Sequence, residues 1–234
     1  MKLKLSSVSL SDKFILGTML IIVFVGVAIG FINTNYFTQR FAEEDGFVEN
    51  LTAIGLFVAA VIVIIKLWRA RGESGFRTFC HVLFALMLIF GAGEEISWGQ
   101  RIFNIESSEF FLEHNAQGET NLHNMVIGDT KINKLIFGQI FTVMLFLYFW
   151  ALPFIYTKFS AMQGMVDKFG VPVPHLYQSV VFTFAYMLTM IIPSGRKWEL
   201  GEMCLAFVLV AIVLNSFNSM GIGKGGSREK TPSA

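Results

Sequence analysis

A chain of 234 residues that is 54% hydrophobic and only 15% charged carries more apolar surface than a soluble domain of that size can hide. Mean hydropathy is +0.60, and lipid is the solvent such a surface needs. The net charge is +1 with no basic run carrying interleaved aromatics, which speaks against nucleic acid as a partner, and Cys80 and Cys204 make no disulfide framework.

A hydrocarbon core of about 30 Å takes about 20 residues of apolar helix to cross. Six segments meet that need, so the predicted fold class is all-α: a polytopic transmembrane helical bundle, one domain over residues 1–217. The first segment, 14–32, follows a basic start at Lys2, Lys4 and Lys13. Its apolar run outlasts a signal-peptide core and no small-x-small cleavage site follows, so it reads as a retained span. Within it, Gly26 and Gly30 offer a small-x-x-x-small face for close packing, either internal or between copies of a homo-oligomer. The second span is 51–68, with a first turn from about Asp45. The third, 77–98, runs without a turn signal into Gly93-Glu94-Glu95, and the helix is expected to persist through Trp98 towards Arg101. A long loop, 99–133, leads to the fourth span, 134–156. Residues 158–175, with Pro172 and Pro174, read as a connector. The fifth span, 176–193, is the shortest; the turn Ser194-Gly195-Arg196-Lys197 leads to the sixth, 198–217. Residues 218–234, rich in Gly, Ser and charge, read as a disordered tail.

Lysine and arginine set the orientation. With the N-terminus inside, the outer segments hold Arg40, Arg101, Lys131, Lys134, Arg196 and Lys197, and the inner ones the other 12 of 18 basic residues. Both termini are then cytoplasmic and the chain is multi-pass in a cell's inner membrane. Carboxylates contribute little to topogenesis, yet only Asp12, Glu73, Asp167 and Glu229 fall inside, leaving 13 of 17 acids outside. That skew points to a working outer face.

Three outer clusters carry candidate chemistry. Glu43, Glu44, Asp45 and Glu49 stand at the start of the second span; acids there complement the helix dipole, but four exceed what a cap needs. Glu94 and Glu95 come next. Glu94 is 17 residues beyond Arg77, about 25 Å along a helix, near the outer edge of the hydrocarbon. Ionisable groups at that depth are costly and face a bundle interior or a watery cavity. A persistent helix would put Glu94, Trp98 and Arg101 on one face. The third cluster, 113–124, holds His114, Glu119, Asn121, His123 and Asn124. It matches no standard zinc signature, but His123 and Glu119 are four apart. With His114 and Glu94 they form a candidate imidazole–carboxylate set for a divalent metal such as zinc, manganese or iron, or a metal-free acid and base. Glu199 and Glu202, beside Trp198, read as dipole-complementing acids at a helix start. The catalytic candidates are Glu49, Glu94, Glu95 and His123; the substrate-binding candidates are Trp98, Gln100, Arg101, Asn121 and Asn124.

The strings Gly-Glu-Glu-Ile-Ser-Trp-Gly-Gln-Arg at 93–101 and Gln-Gly-Glu-Thr-Asn-Leu-His-Asn at 117–124 resemble a group of bacterial multi-pass membrane proteins of no known activity. The resemblance covers roughly residues 40–130 and implies topology alone. The chain is also similar to alkaline-ceramidase-like membrane hydrolases in having a polar site facing lipid, but their paired-His helix motif is absent here, so no residue role follows.

The expected function is hydrolysis or transfer at the outer leaflet, on a lipid, a lipid-linked sugar or a lipoprotein, with Arg101 set to hold a phosphate or carboxylate headgroup. The alternatives are an envelope assembly or scaffold protein docking through its outer loop, and a proton- or cation-coupled transporter subunit. Few polar groups in the inner helix halves and no inverted repeat count against transport.

Overall fold

The computed structural model describes residues 8–43, 46–70, 74–115, 118–122, 125–127, 130–131 and 141–221. Ser9 caps the first helix by accepting from the Asp12 amide, and α1 (Leu10–Ile32) is followed by α2 (Thr34–Tyr36) and a π turn, Phe37–Phe41. Helices α3 (Phe47–Arg69) and α4 (Gly75–Glu95) form a hairpin, the second capped by Ser74. Beyond a 3-10 turn, Ser97–Gly99, come α5 (Gln100–Phe103), α6 (Glu109–His114) and a two-residue ribbon, β1 (Val126–Ile127) with β2 (Thr130–Lys131). Helix α7 (Phe141–Phe146) passes through a π turn, Leu147–Ala151, into α8 (Leu152–Lys158); α9 (Ser160–Phe169), α10 (Leu176–Met190) and α11 (Lys197–Leu214) complete the chain.

Among the described residues the fold is all-helical apart from that ribbon, and three helices, α1, α3 and α4, are long and apolar enough to cross a membrane. Their outward faces present Phe24, Phe31, Phe57, Ile64, Phe79 and Leu86 unburied, the pattern lipid stabilises and water does not. Helix α11 is apolar on every side beyond its first turns; it is buried nearly all round, from Leu200 to Val213, as a central helix must be. One flank packs with Leu16, Met19 and Val23 of α1 and Phe182 and Ala185 of α10. The other meets Ala59, Ala60 and Val63 of α3 with Ala85 and Leu88 of α4. Small residues let α3 come close: a Cβ on Gly55 would lie 3.0 Å from that of Ala206.

Gly26 and Gly30 are used inside the chain. A Cβ at Gly26 would meet Leu200 at 2.8 Å and Phe41 at 2.9 Å, and one at Gly30 would meet Ile192 at 2.6 Å. The π turn at Leu147–Ala151 also has a local cause. Pro153 has no N–H for the Phe149 carbonyl four residues back, and the Ser179 hydroxyl donates to that carbonyl instead, at 2.7 Å.

Polar ties group the helix ends. The Asp12 carboxylate accepts from Tyr177 and Gln178 at the start of α10 and from Asn215 past the end of α11. Lys66 donates to the Leu214 carbonyl, and Arg77 to that of Asp167. So the starts of α1, α4 and α10 share one end of the molecule with the ends of α3, α8 and α11. The stretch expected as a plain connector contains α9, because Met162, Val166 and Gly170 recur at helical spacing and Val166 is buried; Gly170, at φ +67°, then stops the helix.

Candidate functional site

The helix does not persist through Trp98. Helix α4 ends at Glu95, and Ser97, Trp98 and Gly99 all take positive φ, 45°, 56° and 76°. The reason lies one turn earlier. Gly93 has no Cβ, and a Cβ there would stand 2.8 Å from the Trp98 ring. The indole folds back over the helix, meets Phe90 edge-on at 5.4 Å, and donates from Nε1 to Glu94 Oε1 at 2.8 Å. Glu94 and Trp98 are thus in contact, but across a left-handed reversal rather than along a helix face.

The loop after α6 straps this reversal down. The Leu122 amide donates to Glu94 Oε2 at 2.6 Å. Ser97 Oγ donates to Glu119 Oε2 at 2.6 Å and accepts from Asn121 Nδ2 at 2.9 Å. Asn121 is held by Asn115, whose Nδ2 donates to its carbonyl and its side-chain oxygen, both at 2.8 Å. Gln100 bridges, accepting from the Thr120 amide at 2.8 Å and donating to Ser107 at 2.6 Å. Glu94, Ser97, Glu119 and Asn121 are all buried. The second and third sequence clusters therefore form one network, with the carboxylates of Glu94 and Glu119 among its acceptors.

Glu95 points elsewhere. Among the described residues, the carboxylates of Glu202, Glu49, Glu199 and Glu94 lie within coulombic reach of it. Glu202 in turn feels Glu199 and Glu49. The first turn of α3, the last of α4 and the first two of α11 thus bring five acids together. Glu49 is buried, Glu95 partly buried and Glu202 exposed. Arg196 pairs with Glu199 at 3.6 Å.

Of the candidates, Glu49, Glu94 and Glu95 come together. Glu94, Glu119, Gln100 and Asn121 are engaged in the strap, and Trp98 is half exposed above it. His114 stands apart, exposed, stacked on Phe110 at 4.8 Å and donating from Nδ1 to the Phe110 carbonyl. His123, Asn124 and the side chain of Arg101 lie outside the described residues, as do Glu44 and Asp45. Among the described residues no group of three His, Cys, Asp or Glu is arranged to hold a metal. Sequence reasoning missed Ser97 as a partner of Glu119, although it stands within the 93–101 string. It also read Glu199 and Glu202 as local cap acids; their number beside an interfacial Trp was the available signal. Compared with protein families, curated proteins and solved structures, the chain finds no match.

Proposed function

We propose that this chain is a six-span inner-membrane protein with cytoplasmic termini, whose outer-face carboxylates carry out acid–base hydrolysis or transfer on a lipid or lipid-linked substrate. The observation that carries this reading is the convergence of Glu49, Glu95, Glu199 and Glu202 with Glu94 from three helices. Acid–base chemistry needs one group to give a proton and another to take one, and carboxyl groups gathered from separate helices supply both around a single substrate. Six spans are supported by the alternation of α1, α3, α4, α7–α8, α10 and α11 between two ends. The sidedness rests on the Lys/Arg bias. In this reading Glu95, Glu49 and Glu202 face the substrate; Glu94, Glu119, Gln100 and Asn121 are positioning residues that hold the strap.

The test is reconstitution with a panel of phospholipids and lipid-linked sugars, with products followed by mass spectrometry. Wild type should turn over one class, and Glu95→Gln or Glu202→Gln should lose about 100-fold or more while remaining folded. Turnover indifferent to both substitutions, or none on any lipid, defeats the proposal. A scaffold role is the second reading, favoured by Phe103, Ile105, Phe110 and Leu112, which the outer loop leaves exposed. A scaffold would tolerate Glu95→Gln in cells and fail on Phe110→Ser with Leu112→Ser.

A further inference from the structure

Helix α9 turns Val166 inward and leaves Met165, Lys168 and Phe169 exposed. Ten residues make it about 15 Å long, with Lys158 just before one end and Lys168 at the other. Both ammonium groups rest on aromatic rings at the rim of the lipid-facing surface. Lys158 Nζ is 5.2 Å from the Phe154 ring centroid and 5.9 Å from that of Phe159; Lys168 Nζ is 5.6 Å from that of Phe76. Phe76 in turn meets Phe169 edge-on at 5.3 Å. Residues 141–175 contain one acid, Asp167, and it faces inward, accepting from Tyr156 at 3.0 Å and Asn218 at 3.1 Å. Among the described residues neither lysine has a carboxylate within ion-pair distance. An exposed apolar strip ends in two cations whose nearby acid is already engaged.

We propose that α9 lies in the headgroup plane of an anionic phospholipid leaflet, with Phe159, Met165 and Phe169 at the acyl boundary and Lys158 and Lys168 on lipid phosphates. Charge complementarity favours an anionic lipid over a zwitterionic one. Continuity with the exposed, lipid-facing Phe76 at the start of α4 favours a bilayer over a soluble partner. The inference rests on the membrane placement above, not on the outer-face chemistry, so either can fail alone.

The test is native mass spectrometry of the full chain from detergent micelles offered phosphatidylglycerol and phosphatidylcholine in competition. Two lysines at an anionic surface, at about 1 kcal/mol each, correspond to a preference of about 30-fold. Wild type should retain phosphatidylglycerol by about that factor, and Lys158→Gln/Lys168→Gln should retain both lipids equally with an unchanged melting temperature in lipid-free detergent. Equal retention by wild type, or an undiminished preference in the double variant, overturns the proposal. Should the double variant fail to fold, wild type in high salt decides: screening should shrink the preference, and a preference that survives salt overturns it.

Discussion

Glu94 accepts the Trp98 indole and the Leu122 amide, so its carboxylate holds two segments together, whereas Glu95 stands beside four other acids. Substitution should separate the two. Glu94→Ala leaves two donors without their acceptor and should cost about 2–4 kcal/mol, read as a lower melting temperature and a shifted Trp emission. Glu95→Gln removes one acid from a crowded group of carboxyls and should leave the melting temperature unchanged or raise it, read by thermal unfolding in detergent. That one helix carries both acids was legible, because the apolar run from Arg77 reaches them without a turn signal. Which of them faces the other carboxylates was not, since Glu202 is more than 100 positions away and only the α3–α11 packing brings it near. The fold-back of Trp98 was hidden for a related reason: the vacancy above Gly93 becomes useful only when a ring occupies it.

Helix boundaries were legible where apolar length decides them. Helices α1, α3 and α10 start within four residues of the expected spans and end within three. They failed where a tertiary contact decides, as at Glu95, where the strap stabilises three consecutive left-handed residues, and in α9, whose single buried strip is too short to stand out. Two substitutions test such contacts. Ser179→Ala removes the donor that serves the Phe149 carbonyl beside Pro153 and should destabilise by about 1–3 kcal/mol, with Ser179→Thr partly rescuing. Gly170→Ala drives a Cβ into His81 Nε2 at a φ of +67°, so it should lower the melting temperature more than Gly164→Ala, where nothing lies within 4 Å.

At the scale of the whole molecule, α11 runs through the centre and the helix ends sort into two faces, one tied by Asp12, Lys66 and Asp167, the other crowded with carboxylates. An inner-membrane orientation predicts that a cysteine placed at Leu112 reacts with a membrane-impermeant thiol reagent on intact cells and one at Met165 does not; the reverse pattern would invert the topology. The most direct test of the carboxylate face needs no substrate. It is a double-mutant cycle on unfolding stability with Glu95→Gln, Glu202→Gln and the pair. Acids that share one site predict non-additivity of at least about 0.5 kcal/mol. Effects that simply add would mean that Glu95 and Glu202 do not sense each other, and the proposed site would not exist.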